Sequence, residues 1–266
     1  MLMFVENLTK EYNRQTVLKD LNFSIFEGEI LGLVGESGCG KSTLAKLIGR
    51  FEKPSSGNIY FRNMNIHSLS KEALISFRRG CQMVFQDNLA SLNPGMKIMS
   101  ILKEPLVNNA NFNTQEQEQR IRKALTRVHL NEEVLSRFPI SISGGERQRV
   151  NICRALLMSP SIMICDEITS SLDVITQEKL LELLKKLNKE LKMTIFFISH
   201  DIEAVKSISD RVMVMEQGEI VEILDSKNSF YFEHPYTQKL FSALPVNHPG
   251  KRKLNIPAVP INEICI

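Results

Sequence analysis

The 266-residue chain has no run of the ~18 to 20 consecutive apolar residues that a membrane-spanning helix needs. Its opening, MLMFVENLTK, meets an acid and a lysine too early for a secretory signal, so the expected location is the cytoplasm. Five cysteines (Cys39, Cys81, Cys153, Cys165, Cys265) are an odd number, stand far apart and form no C-x-x-C pair, which argues against a disulfide framework or a structural zinc site. A net charge of +3 is too small for this size to signal nucleic-acid binding, and no basic stripe is interleaved with aromatics. Internal repeats and low-complexity runs are lacking too, and only residues 246–266 read as a loose tail. What remains is a chain with 43% hydrophobic residues, enough to bury a core in one large domain or two lobes.

The stretch VLKDLNFSIFEGEILGLVG alternates apolar and polar residues, turns at Glu27-Gly28 and becomes continuously apolar, the pattern of an antiparallel hairpin running into a buried strand. A glycine-rich loop and a helical KSTLAKLIGR follow, then strand-like GNIYFRN and CQMVFQ. From Asp87 to Leu157 the period turns helical, with Ile121, Leu125 and Val128 on the apolar face of QEQEQRIRKALTRVHL, which predicts an inserted helical subdomain. Strands then alternate with helices again (IMIC, VITQEKLLELLKKLNKELK, TIFFIS), and RVMVMEQGEIVEI carries a turn at Gln217-Gly218. The expected fold is α/β with a mainly parallel sheet, an antiparallel β subdomain and the helical insertion, all in a single domain over 1–245.

Residues 35 to 43 read GESGCGKST, which fits G-x-x-x-x-G-K-[ST] where a strand should meet a helix. Gly35, Gly38 and Gly40 let the backbone of Glu36, Ser37 and Cys39 curl around an anion, and the helix start adds its positive dipole end. Lys41 is placed to reach β- and γ-phosphates. Ser42 offers Mg²⁺ a hard oxygen, and Thr43 is a weaker second hydroxyl. Kinases, GTPases and transporter ATPases all remain open at this point.

SIMICDE brings Asp166 out at the end of a buried strand, where doubly wound sheets bind ligands, and Glu167 follows it. Asp166 suits Mg²⁺; Glu167 suits the orienting and deprotonation of an attacking water. His200 ends TIFFIS in the same way and can hydrogen-bond a γ-phosphate, and Gln86, ending CQMVFQ, is a candidate Mg²⁺ and water contact. Alone, the acid pair is compatible with solvated charge at a strand end, His200 with a structural histidine and Gln86 with an ordinary surface amide. Ser143 and Glu146 in ISGGE fit a capping box, while Gly144-Gly145 at the same helix start permits close approach to an anion.

Taken in order, these segments resemble the ATP-binding-cassette family over nearly the whole chain. Tyr12 matches its adenine-stacking aromatic, GESGCGKST its Walker A loop, Gln86 its Q-loop, SISGGERQR its signature, IMICDE its Walker B strand, SSLD (Ser170 to Asp173, with Ser171 and Asp173) its D-loop, and His200 its switch histidine. The resemblance implies ATP and Mg²⁺ as ligands and Glu167, His200 and Gln86 as the hydrolytic group, with Ser42, Gln86 and Asp166 on Mg²⁺. It also implies a head-to-tail pair of cassettes, in which Ser143, Gly144, Gly145 and Glu146 face the partner's ATP. Two departures stand out: Glu146 where the family usually has glutamine, and Ile168 where proline commonly follows the catalytic glutamate.

DNLASLNP (Asp87 to Pro94) and HPYTQKLFSALP (His234 to Pro245) resemble segments of cassettes that energise peptide, dipeptide and nickel importers. The implied partners are two transmembrane permease subunits, a second, non-identical ATPase subunit and an extracytoplasmic solute-binding protein, with the chain peripheral on the cytoplasmic face of the membrane. The permeases' cytoplasmic helices would meet the segment after Gln86. Some relatives carry a cysteine cluster for an iron–sulfur centre after the terminal helix; with only Cys265 there, none is expected. The alternative is a soluble, non-transport cassette ATPase.

Overall fold

The computed structural model describes residues 1–85, 91–109, 112–226 and 232–242. Gln86, the first part of DNLASLNP, the end of HPYTQKLFSALP, the tail and Cys265 lie outside them.

In chain order the elements are β1 (Met3–Tyr12), β2 (Gln15–Ile25), β3 (Ile30–Val34), α1 (Lys41–Ile48), β4 (Ser56–Phe61), β5 (Met64–Asn65), α2 (Lys71–Gly80), β6 (Cys81–Val84), α3 (Ile98–Asn109), α4 (Thr114–Arg127), α5 (Gly144–Leu156), β7 (Ile162–Asp166), α6 (Val174–Leu191), β8 (Thr194–Ile198), α7 (Ile202–Ile208), β9 (Arg211–Glu216), β10 (Glu219–Asp225) and α8 (Pro235–Ser242). Two short 3-10 turns, Glu132–Ser136 and Pro139–Ser141, separate α4 from α5.

Two sheets carry the fold. One is antiparallel, in the order β2-β1-β4-β5; the other runs β10-β9-β3-β8-β7-β6 and is parallel except for its β9–β10 edge. This is the α/β architecture expected, with one correction to the reading of its start. The segments on either side of Glu27-Gly28 do not pair with each other. β2 pairs with β1, and β3 joins the other sheet between β8 and β9. The physical reason is burial: every residue of β3 is buried, so it needs a neighbour strand on both edges and cover on both faces, which a hairpin partner alone does not provide. The turn at Gln217-Gly218 does close a hairpin, with both residues at positive φ (45° and 85°) as tight antiparallel turns require.

Alternation along the parallel strands splits the interior in two. Leu31, Leu33, Ile162, Ile164, Phe196, Ile198, Met213 and Met215 face the antiparallel sheet and α1. Ile30, Val34, Met163, Cys165, Ile195, Phe197, Val212 and Val214 face the layer holding α3 to α7. α1 is thus packed between two sheets through Leu44, Leu47 and Ile48, which fixes the direction of its first turn. On the α4 face Ile121, Leu125 and Val128 are buried. Helix α2 starts on Ser70, whose hydroxyl accepts from the Ala73 N–H at 3.2 Å, and packs Phe77 and, less deeply, Leu74 against the core.

Candidate active site

Three adjacent parallel strands, β3, β8 and β7, end side by side at one sheet edge. Their ends are tied together, since the Ser199 N–H donates to the Leu33 carbonyl (3.2 Å) and the Glu167 N–H to the Ile198 carbonyl (2.9 Å). The loop after β3, the Asp166-Glu167 pair after β7 and His200 after β8 are therefore brought together by sheet register.

The loop from Gly35 to Gly40 rises from β3 and turns into α1. Gly35 has no room for a side chain: a Cβ there would lie 2.2 Å from the Met215 carbonyl oxygen and 2.8 Å from the Cys39 sulfur. Gly40 caps α1 at φ 111°, with Leu18 2.6 Å from where a Cβ would stand, and no side chain caps this helix. Glu36, Ser37 and Gly38 form the exposed rim, and Cys39 is buried beneath it, its thiol pushed up by burial. The Lys41 ammonium is 4% exposed and turned inward, donating to the Gly35 and Glu36 carbonyls, each at 2.8 Å. The helix start therefore carries open N–H groups and a cation lying within the loop itself, the combination that receives phosphate.

Asp166 is 6% exposed and accepts from the Ser42 hydroxyl at 3.2 Å. Burial pushes its carboxyl up and the Ser42 hydrogen bond opposes this. A buried acid beside a hydroxyl at the mouth of a phosphate loop is a pair of hard oxygen donors whose desolvation a divalent cation relieves, and the donor set fits Mg²⁺. Gln86, the third expected ligand, lies outside the described residues. Glu167 sits at φ 49°, a backbone conformation uncommon for a residue with a side chain, and its carboxylate lies 3.4 Å from the His200 imidazole Nδ1. His200 is the more open of the two, with its side chain about half exposed.

Tyr12 ends β1 with its ring partly exposed. The hydroxyl donates to Glu52, and the Lys10 ammonium lies 4.7 Å from the ring centroid. Glu52 also pairs with Lys10 and Lys46, so the aromatic is oriented by a small charged cluster that sequence reasoning missed. Nothing in the spacing of residues 10, 12, 46 and 52 signals that cluster, since it joins the end of β1 to α1 and the loop after it.

The signature and D-loop residues lie at two other helix starts. Ser143 and Glu146 do form a capping box: the Glu146 N–H donates to the Ser143 hydroxyl (3.2 Å) and the Ser143 N–H to the Glu146 carboxylate (2.8 Å). Glu146 thus performs as a capping acid, and the Ser143 backbone N–H, first among several causes, holds its carboxyl below the usual carboxylate range. Gly145 lies against α6, where a Cβ would meet the Thr176 methyl at 2.7 Å, whereas Gly144 has nothing closer than Arg147 at 3.9 Å. Asp173 caps α6, accepting from the Thr176 hydroxyl (2.7 Å) and N–H (2.9 Å). Ser171 is exposed beside it. Ile168, the second departure, is 1% exposed and simply extends the core. The structure brings Lys41, Ser42, Asp166, Glu167 and His200 to one place; Ser143 to Glu146 stand at the start of a different helix.

The sequence profile of the family described as ABC transporter matches residues 18–170. The chain is 44% identical over 229 residues to an oligopeptide transport ATP-binding protein of Bacillus subtilis, AppF, covering 85% of this chain and 69% of that protein. It is 39% identical over 272 residues to the oligopeptide transport ATP-binding protein OppF of Streptococcus mutans, covering 99% of this chain and 88% of the relative. Among solved structures it resembles a dimeric ATP-binding cassette in a post-hydrolysis state bound to ADP and Pi, with a TM-score of 0.75 and 32% identity over 85% of this chain and 99% of that one. With strand order, loop and acid pair all in place, these likenesses show that the chain belongs to the ABC transporter family and is one of its ATP-hydrolysing cassettes.

Proposed function

We propose that the chain hydrolyses ATP at the joined ends of β3, β8 and β7 to drive peptide import through a pore carried by other chains. The observation that carries this is the convergence of the Lys41 loop, the Ser42–Asp166 pair and the Glu167–His200 pair on one sheet edge. Lys41 can exchange two neutral carbonyl partners for the anionic β- and γ-phosphate oxygens, a stronger set. The loop amides from Ser37 to Thr43 surround those phosphates, and Tyr12 stacks on adenine, which is worth roughly 1–3 kcal/mol for such contacts. Ser42, Asp166 and Gln86 would hold Mg²⁺, which when bound neutralises charge on the phosphate oxygens. Glu167 orients the attacking water and takes its proton. His200, in contact with Glu167, hydrogen-bonds the γ-phosphate side of the reaction.

The other half of the site comes from a second cassette, whose Ser143-to-Glu146 counterpart closes over the nucleotide, with Ser171 and Asp173 at the seam. Ile140, Val174 and Ile175 are large, exposed apolar residues flanking the signature and D-loop, where such a seam needs them. Phe51 and Phe85, edge to face at 5.4 Å, border a 640 Å³ groove that also includes Asn151 and Arg154 of α5. Phe85 and Ser91, on either side in sequence of residues 86–90, both line that groove, where the two permease subunits' cytoplasmic helices are expected. The chain then sits peripherally on the cytoplasmic face of the membrane, served from outside by a solute-binding protein; no described helix is long and apolar enough to cross a membrane.

Peptide is favoured over nickel or a metal chelate because the relatives named above are oligopeptide transport proteins. The same likeness leaves the soluble, non-transport alternative without support. The test is uptake of a labelled tripeptide and of labelled nickel, side by side, in cells carrying either the normal gene or Lys41→Ala. Loss of tripeptide uptake alone is the expected result; loss of nickel uptake alone would overturn the substrate assignment, and loss of neither would overturn the transport role.

A further inference from the structure

The segment HPYTQ reaches back to the phosphate loop. Tyr236, in the first turn of α8, is 8% exposed, and its hydroxyl accepts a hydrogen bond from the Glu36 backbone N–H at 3.2 Å. That N–H belongs to the Gly35–Glu36 peptide, whose carbonyl, that of Gly35, accepts from the Lys41 ammonium at 2.8 Å. One peptide plane is therefore held from both edges, by Lys41 on the inside and by Tyr236 on the outside.

The outer hold is itself anchored. Glu222 of β10 accepts from the backbone N–H groups of Glu233 (2.9 Å) and His234 (3.4 Å), fixing the lead into α8. The His234 imidazole Nδ1 then accepts from the Tyr236 N–H at 3.3 Å, and Gln238 donates to the Phe232 carbonyl at 2.9 Å. The Phe232 and Phe241 rings pack 4.5 Å apart across the same turn. Next to Tyr236 the Met215 carbonyl of β9 closes the remaining side of Gly35.

We propose that Tyr236 is a positioning residue for ATP: its hydroxyl keeps the Gly35–Glu36 peptide in place when Lys41 leaves that peptide for phosphate. The argument rests on the assignment of residues 35 to 43 as the phosphate loop. Before nucleotide binds, Lys41 and Tyr236 share the hold. When the ammonium turns to the phosphates its bonds to the Gly35 and Glu36 carbonyls are lost, and Tyr236 alone then grips the outer edge. A loop held in its binding conformation loses less entropy on binding, so the hydroxyl shows in nucleotide affinity. Tyr236 lies outside residues 18–170, so the family profile says nothing of it.

The test is Tyr236→Phe in the full chain, which removes one oxygen and keeps the ring. ADP and ATP dissociation constants, kcat and Tm are measured beside wild type, Lys41→Ala and Phe241→Leu, the last loosening α8 while keeping the hydroxyl. Tyr236→Phe is expected to weaken both nucleotides about fivefold, about 1 kcal/mol, with kcat at saturating ATP within about twofold of wild type and Tm lowered by only a few degrees. Phe241→Leu is expected to lower Tm with a smaller effect on affinity. Wild-type affinity in Tyr236→Phe, or an equal loss in Phe241→Leu, would overturn the role of the hydroxyl. A wild type that binds no ATP, or a Lys41→Ala that binds it normally, would instead overturn the phosphate-loop assignment beneath it.

Discussion

Helices α1 and α5 both begin on glycine-containing segments expected to meet phosphate, yet their first turns are built in opposite ways. α1 starts on Gly40 at φ 111° with no side-chain cap, and a lysine lies folded into the loop before it. α5 starts on Ser143 with a complete capping box closed by the negative Glu146. The first end leaves its N–H groups to a ligand and supplies a cation. The second satisfies the Ser143 and Glu146 N–H groups within the chain and places an anion there. A lone chain therefore has one ready phosphate site, at α1; in the pairing proposed above, the α5 end acts only when a partner's nucleotide, already held by its own lysine loop, is pressed against it.

The largest expected effect is at Glu167, where the proposed pairing would bring the two ends together. Glu167→Gln leaves the loop and Lys41 intact, so it should bind ATP normally while turnover falls about 100- to 10,000-fold, the range for losing a general base; ATP should then accumulate a closed pair of cassettes, visible by sedimentation. Normal turnover would remove Glu167 from the mechanism. Lys41→Ala comes next and breaks the α1 end alone: with a charged hydrogen-bond donor gone, ATP affinity should drop about 10- to 100-fold by equilibrium titration. Ser143→Ala breaks the α5 end alone. It should leave the ATP affinity of the isolated chain unchanged while lowering stability by about 1 kcal/mol, read by urea unfolding, and reducing turnover in the assembled transporter.

The smallest effect is a pH dependence. The folded carboxyl of Glu146 is held below its ordinary value of 4.5, chiefly by the Ser143 N–H. A depressed carboxyl contributes stability that is complete above the unfolded value and is lost as pH falls through the lower folded one. The advantage of wild type over Glu146→Gln in urea unfolding should therefore persist near neutral pH and shrink on acidification below about pH 4. An advantage that grew with acid would contradict the capping role.

The contrast between the two helix ends also marks how far the sequence could be read. Local patterns carry local structure: GESGCGKST announced a strand, loop and helix, S-x-x-E announced a cap, and IMICDE and TIFFIS announced buried strands ending in chemistry, because each is encoded within a few consecutive residues. What escaped was set by contacts between distant segments. The β2–β3 turn read as part of a hairpin because the alternation of β2 does not reveal that its partner is β1. The Glu52 cluster under Tyr12 and the Tyr236 contact to Glu36 join residues 40 and 200 positions apart, for which no periodicity exists to be read.

The account turns on α1 and α5 being unequal in a lone chain. The most direct measurement is a titration of ¹⁵N-glycine-labelled wild-type chain with ADP, at a concentration where sedimentation shows the chain to stay monomeric. The amides of Gly35, Gly38 and Gly40 are expected to shift together while those of Gly144 and Gly145 stay where they are; movement of Gly144 and Gly145 with the loop glycines unmoved would contradict it.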